Sequence, residues 1–191
     1  MRPKPPPNYL AGYPAALAEE VRRLIEQNHL ADALLQKYPL AHEVRTDKAL
    51  YDFAQALKST HLRNAGQLSL VLFDSRLQVM QRALGTHTRI ARVQGVKLKA
   101  KREIRVAAVF REMPQQFLQM IVVHELAHLK EAAHDKAFYQ LCRHMAPDYH
   151  QLEFDLRCYL CYLDAAGRPL WSPVAADDQG SESISATVRG P

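Results

Sequence analysis

Apolar residues recur at helical spacing in two stretches near the start of the chain, and each stretch predicts an amphipathic helix. The first, "YPAALAEEVRRLIEQNHLADALLQKY", has its apolar face at Leu17, Val21, Leu24 and Ile25. The second, "TDKALYDFAQALKSTHL", opens with Thr46 and Asp47, which are suitable N-caps. Its apolar face comprises Leu50, Phe53, Ala54 and Leu57. Two helical segments are therefore expected before any strand.

The period then changes from about four residues to two, which predicts strands. "LSLVLFD" and "RLQVM" are strand-like, and Asp74 and Ser75 form a possible turn between them. Further on, "KLKAKREIRVAAVF" alternates charged and apolar residues, and only Arg102 interrupts the apolar side. Such alternation is typical of a half-buried strand with one face in water.

A helix carrying "PQQFLQMIVVHELAHLK" is expected to begin at Pro114, where a missing N–H does little harm. Two more helices are predicted in "DKAFYQLCRHM" and "PDYHQLEFDLRCYLCYL". The fold class is therefore α+β, with N-terminal helices, a small antiparallel or mixed sheet, and a central helix followed by two others. We predict a disordered proline-rich head over residues 1–9, a compact domain over 10–164 and a mobile tail over 165–191, with Trp171 pinning the first part of that tail.

Composition narrows the class of protein. No apolar run approaches the roughly 18 residues that span a bilayer, and the proline-rich start lacks the apolar segment of a secretory signal. We therefore predict a cytoplasmic protein without a membrane partner. The net charge is +5, and basic residues concentrate in "RIARVQGVKLKAKREIR", Arg89 to Arg105. This stretch is either a solvated strand face or a surface for nucleic acid or an acidic protein.

The chain has three cysteines, and the sequence around them indicates whether they bind metal, act in redox chemistry or are buried free thiols. Cys158 and Cys161 form a C-x-x-C pair, and Cys142 stands apart. A zinc ribbon needs a second pair and a redox motif needs a preceding strand. Because neither is present, we predict buried free thiols, which suit a reducing compartment.

The motif that carries chemistry is H-E-x-x-H in "MIVVHELAHLKEAAHDKAFY". His124 and His128 lie four residues apart, so both imidazoles project from one helix face and can share a zinc ion. Glu125 stands beside the metal, where it can take a proton from zinc-bound water. Random placement of histidine and glutamate would produce this pattern only about 0.02 times in such a chain. The alternative is a pair of hydrogen-bonded core histidines, which would be costly to bury beside a carboxylate.

A catalytic zinc needs a third protein ligand, and His134 is the candidate we favour. On an unbroken helix it would stand about 9 Å beyond His128 along the axis. It reaches the metal only if the helix ends near Lys130 to Ala133 and the chain turns back, with Asp135 capping the next helix or orienting a ligand. The other candidates are His144, His150 and Glu153.

The separation of the first and third histidines is that of H-E-x-x-H-x-x-G-x-x-H, the metzincin signature. Glu131 occupies the glycine position here, so the turn must be made differently.

The segment from "RVQGVKLKAKREIRVAAVFREMP" through "LEFDLRCYL" closely resembles the YgjP-like metallopeptidases, relatives of the SprT-like zincins. The likeness runs from about Tyr9 to Leu163 and includes "YLAGYP", "TDKALY" and "ALGTHTRIARVQG". The resemblance implies a compact zincin fold, with His124, His128 and His134 as zinc ligands and Glu125 as general base. It also implies that the basic strand before Pro114 could run beside the active-site helix and pair with substrate peptide, or hold nucleic acid.

Three functions remain open at this point. The first is a zinc-dependent peptidase acting on an unidentified protein. The second is a three-histidine metal hydrolase that acts on RNA, as endoribonucleases of the YbeY type do, although their loop glycine is missing here. The third is a nucleic-acid-binding or protein-binding module with structural zinc, which would need a fourth ligand. Residues that could stabilise an oxyanion are Tyr139, Tyr149, His150 and His87.

Overall fold

The computed structural model describes residues 8–77 and 102–171. Within these ranges the chain forms six α-helices, one 3-10 helix and two strands. In chain order the elements are α1 (Ala15–Glu26), α2 (His29–Lys37), α3 (Asp47–His61), β1 (Leu70–Asp74), β2 (Glu103–Ala107), a 3-10 helix (Ala108–Glu112), α4 (Gln115–Ala127), α5 (Lys136–Met145) and α6 (Tyr149–Ala166). The predicted α+β class, with two helices after the central one, is confirmed.

The prediction for the first helical segment is wrong in one respect, because the segment forms two helices, α1 and α2. The chain leaves helical geometry at Asn28, whose φ of 58° lies in the left-handed region. Asparagine tolerates that region better than most residues, and helical spacing on either side of the break conceals it. The next helix is as predicted: the Thr46 hydroxyl accepts a hydrogen bond from the Ala49 N–H at 3.1 Å and caps α3.

The two described strands pair in parallel, with Leu70 opposite Glu103 and Asp74 opposite Ala107. Parallel pairing needs a long connection, and the intervening 28 residues supply one. β2 shows the expected alternation, since Ile104 and Val106 are buried while Glu103 is exposed.

The predicted strand of "KLKAKREIRVAAVF" is too long at its C-terminal end. The chain turns into the 3-10 helix at Ala108, so Phe110 is buried from a helical turn. Apolar residues at alternate positions are typical of a strand. The same spacing of Ala108 and Phe110 also occurs in the 3-10 helix that leads into α4, so the pattern does not distinguish the two. Residues 97–101 of that strand, most of the predicted strand "RLQVM" and most of the basic stretch lie outside the described residues.

The core is built around α4, which is apolar on nearly all sides and packs against α3, β2, α5 and α6. A helix with this composition is stable only when other elements surround it. Its buried residues include Phe117, Leu118, Met120, Ile121, Val122, Val123, Leu126 and Ala127. Because the H-E-x-x-H motif lies at the C-terminal end of this helix, the core holds that end in place.

The C-terminal part of the described chain folds back onto the same core. α6 ends at Gly167, whose φ of 65° suits a helix C-cap. Trp171 is only 3% exposed, and its Nε1 donates to the Tyr38 carbonyl at 2.7 Å. Its ring also contacts Phe117 and Tyr159. Residues 172–191, most of the predicted tail, lie outside the described residues, as does the head before residue 8.

Two expectations about composition can be compared with the described residues. Cys142, Cys158 and Cys161 are all free thiols, and the first two are buried. No helix in residues 8–77 or 102–171 is both long and apolar enough to cross a membrane.

We expect Trp171→Ala to lower the free energy of unfolding by about 3–5 kcal/mol, because it removes a large buried ring and the hydrogen bond to Tyr38. Urea unfolding followed by circular dichroism measures this change. Leu40→Ala is the control, since Leu40 is 71% exposed and its loss should change stability little. Equal stability of the Trp171 variant and the wild type would contradict the packing described here.

Candidate metal centre

The candidate site begins where α4 ends. His124 lies in its last turn, and His128 is the C-cap residue, whose N–H still donates to the His124 carbonyl. Four residues of helical spacing place the two imidazoles on one face, with their ring centroids 4.9 Å apart. The predicted helix through Lys130 is therefore three residues too long.

A short turn after His128 reverses the chain. Leu129 and Lys130 donate to the carbonyls three residues earlier, Leu126 and Ala127, and Glu131 donates to Ala127 as well. These bonds tighten the helix end into a 3-10-like turn. Within the described residues, positive φ values occur at Gly12, Asn28 and Gly167, so this turn contains none. Glu131 therefore fits where the metzincin signature has glycine.

The turn brings His134 back to the other two histidines. Its Nε2 lies 3.0 Å from Nε2 of His124 and 3.1 Å from Nε2 of His128. Two nitrogens bound to one tetrahedral zinc at about 2.0–2.1 Å would stand roughly 3.3 Å apart, so the spacing fits a shared ion. Among the residues that the structure describes, these three form the one group of three or more suitable side chains.

The protonation states of the rings also suit metal binding. The Nδ1 of His128 lies 3.0 Å from the Glu131 carbonyl. A carbonyl only accepts, so Nδ1 carries the proton and Nε2 keeps its lone pair for a metal. Burial, followed by the neighbouring His128 and His134 and by Arg157, holds the pKa of His124 well below its usual 6.5. A neutral imidazole is the form that binds a metal.

Tyr149 lies behind His124, on the side of the ring away from the other histidines. Its hydroxyl is 2.7 Å from Nδ1 of His124. The ring of Tyr149 is fully buried. Tyr149 was a candidate for oxyanion stabilisation, but the structure places it against a histidine, away from the open side of the site.

Phe138, on α5, packs against all three imidazoles, with ring centroids 4.6–4.9 Å from theirs. Sequence reasoning did not identify it as part of the site. Its position in the first turn of α5, four residues after His134, was the available signal. Asp135 caps α5 as expected, since its Oδ1 accepts from the Phe138 N–H at 3.1 Å.

Glu125 follows His124 in the last turns of α4 and is partly exposed. Desolvation by the surrounding protein nevertheless raises the pKa of its carboxyl to about 7. A cation in the adjacent site would lower this pKa again, because an opposite charge favours the carboxylate. Without a bound cation, the Glu125 carboxylate is thus a stronger base than that of an ordinary glutamate.

The structure does not bring the alternative third ligands to this site. Glu153 accepts two hydrogen bonds from Arg157, at 2.7 and 3.3 Å. His144 lies edge-on to His61, and His150 is exposed beside Tyr139. None of them belongs to the three-histidine group. His87 lies outside the described residues.

Comparison with known proteins places this geometry in a family. The profile described as YgjP-like, metallopeptidase domain, matches residues 55–159. The chain belongs to the YgjP-like metallopeptidase family. The match spans α4, α5 and most of α6, so it contains the three histidines and Glu125.

A curated relative from Escherichia coli (strain K12) is 57% identical over 155 residues, which cover 81% of this chain and 93% of that protein. Its name is UTP pyrophosphatase. No solved structure matches this chain. The family and the relative's name together establish a metal-dependent hydrolase, and they differ on the bond that is cleaved.

We expect the stability of metal-free protein to depend on pH through Glu125. The folded pKa is about 7 against a usual 4.5, so between these values the folded state holds a proton that the unfolded chain has released. The stabilisation that this proton brings is complete below pH 4.5 and is lost as the pH rises through 7. Glu125→Gln stays neutral and should exceed the wild type at pH 8 by about 2 kcal/mol, after allowance for partial exposure.

Urea unfolding of chelator-treated wild type and Glu125→Gln at pH 5 and pH 8 measures this difference. Charging of His124 at low pH affects both proteins, so it cancels in the comparison. A difference between the two proteins that is the same at both pH values would show that Glu125 is not desolvated as described.

Proposed function

We propose that this chain is a zinc-dependent hydrolase in which His124, His128 and His134 hold the ion and Glu125 is the general base. The observation that carries the proposal is the convergence of three Nε2 atoms beside a desolvated glutamate. Three histidines leave a fourth position open, as catalytic zinc sites require. A closed structural site would need a fourth protein ligand, and the described residues supply none.

Bound zinc would supply Lewis-acid activation of water and of the substrate oxygen. The chain's own groups do the rest. The Nε2 atoms of the three imidazoles converge on one position, and Glu125 would take the proton from the attacking water. Desolvation raises the proton affinity of Glu125, and a bound cation favours its ionised form, so Glu125 can be a carboxylate near neutral pH that accepts a proton from water.

For the substrate, we propose UTP, cleaved between its α- and β-phosphates. Water adds to the α-phosphorus, the bond to the bridging oxygen breaks, and UMP and pyrophosphate leave. The support is the name of the relative, which shares 57% identity over nearly its whole length. The net charge of +5 and the basic stretch from Arg89 to Arg105 suit a polyanionic substrate.

The second candidate is peptide-bond hydrolysis, which the H-E-x-x-H motif and the family description favour. A leaving amine must be protonated, and Glu125 can pass on the proton that it took from water. β2 packs against α4, so a strand lies beside the motif helix as this function requires. An unidentified protein would be the substrate. RNA, suggested by the basic stretch, is a third substrate to test.

We expect His134→Ala to lose zinc, because only two of the three converging nitrogens remain. Glu125→Gln should keep one zinc per chain and lose about 10²–10⁴-fold in the rate of UTP hydrolysis. Metal analysis of the purified proteins and release of pyrophosphate measure these changes. His144→Ala is the matched control, since it removes a histidine outside the cluster. Zinc retained in His134→Ala, or UTP hydrolysis unaffected in Glu125→Gln, would refute this assignment.

Substrate choice is tested by presenting zinc-loaded wild type with UTP, CTP, an unstructured protein and single-stranded RNA in parallel. We expect UMP and pyrophosphate from UTP, at a rate that Glu125→Gln abolishes. Cleavage of the protein but not of UTP would establish the peptidase function instead. Release of UDP and free phosphate would show that the bond between the β- and γ-phosphates is attacked instead.

A further inference from the structure

We propose that Tyr149 is a positioning residue for the metal centre: its hydroxyl holds the His124 imidazole in the tautomer and orientation that present Nε2 to the ion. The observation is the 2.7 Å contact between the Tyr149 hydroxyl and Nδ1 of His124 in a fully buried position. The proposal rests on the metal site of the proposed function and is independent of its substrate.

The two rings are placed for a straight hydrogen bond. Their planes are within 18° of parallel and their centroids are 6.4 Å apart. If the imidazole centre, Nδ1, the hydroxyl oxygen and the phenol centre lay on one straight line, the two centroids would be roughly 6.6 Å apart. The hydroxyl therefore lies close to the direction in which an Nδ1–H points. A bond with this geometry resists rotation of the ring.

The direction of the bond follows from the metal site. An imidazole that binds an ion through Nε2 keeps its proton on Nδ1, and the Tyr149 oxygen, 2.7 Å away, can accept a hydrogen bond from that Nδ1–H. Nδ1 then carries the imidazole proton, and the lone pair is on Nε2, 3.0 Å from Nε2 of His134. Tyr149, the first residue of α6, thus favours the tautomer of His124 that can bind an ion through Nε2.

His128 shows the same arrangement with a different acceptor. Its Nδ1 donates to the Glu131 carbonyl at 3.0 Å, whereas that of His124 meets a tyrosine hydroxyl at 2.7 Å. A backbone carbonyl cannot be removed by a side-chain substitution, but the Tyr149 hydroxyl can. Because His124 is only 3% exposed, water is a poor replacement for that hydroxyl. Loss of such a partner typically weakens metal affinity about 10–100-fold.

The test compares two tyrosine-to-phenylalanine substitutions on α6 in the full-length, zinc-loaded protein. Tyr149→Phe removes the proposed acceptor. Tyr159→Phe is the matched control, because Tyr159 is also buried and its ring packs against Phe117 and Trp171, away from the histidines. Zinc affinity is measured by competition with a chromophoric chelator, and stability by urea unfolding.

We expect Tyr149→Phe to bind zinc about 10–100-fold more weakly and Tyr159→Phe to bind it like the wild type. Equal zinc affinity in all three folded proteins would overturn the role of Tyr149 while leaving the proposed function intact. Equal weakening in both variants would also overturn it, because a general loss of stability would then be the cause. A wild type that binds no zinc would refute the metal function itself.

A measurement on the wild type keeps the proposal testable if Tyr149→Phe fails to fold. Nitrogen-15 NMR of the zinc-loaded protein distinguishes a protonated from an unprotonated Nδ1 on His124. We expect a protonated Nδ1 whose hydrogen exchanges slowly with solvent, because its acceptor is buried. An unprotonated or rapidly exchanging Nδ1 would overturn the proposal without any variant.

Discussion

The end of α4 is the constraint on which the site depends. On a continuous helix, His124 and His134 would be separated by about 15 Å along the axis, too far for one ion. The structure brings their Nε2 atoms to 3.0 Å because the helix stops at Ala127 and the chain reverses within one short turn. The turn also supplies a partner, since the Glu131 carbonyl accepts from His128. Chain reversal and ligand orientation are therefore achieved by the same few residues.

Packing of three helices then holds the converging rings. α4 is buried on almost all sides and presents its last turn to α5 and α6. α5 begins immediately after the third histidine, where Asp135 caps it, and Phe138 in its first turn lies against all three imidazoles. α6 contributes Tyr149 behind His124. A metal centre built in this way gains its rigidity from the hydrophobic core, which limits the motion of ligands that come from a helix end and a loop.

Local patterns predicted the parts of this protein that local interactions determine. The spacing of His124 and His128 follows from helix geometry, and the caps at Thr46 and Asp135 follow from side-chain chemistry, so all were accessible from sequence. The helix break at Asn28 and the end of β2 at Ala107 were missed, because apolar spacing continues through both. The contact between Tyr149 and His124 joins residues 25 apart, and no periodicity carries that information. The sequence could predict that His134 joins the other two histidines only if the helix ended before it and the chain turned back.

The metal centre alone does not select between a phosphoanhydride and a peptide bond, since an activated water can attack either phosphorus or a carbonyl carbon. The two reactions differ in the leaving group: pyrophosphate departs as an anion, whereas an amine needs a proton, which Glu125 would supply in the proposed mechanism. They also differ in charge, because a triphosphate must be met by cations, and three imidazoles that bind one metal ion do not provide them. In the described part of the basic stretch, Arg105 lies in β2, and β2 packs on the helix that carries the motif. Selection between the two substrates is therefore expected from residues around the three histidines, which fits a family described as metallopeptidase and a relative named UTP pyrophosphatase.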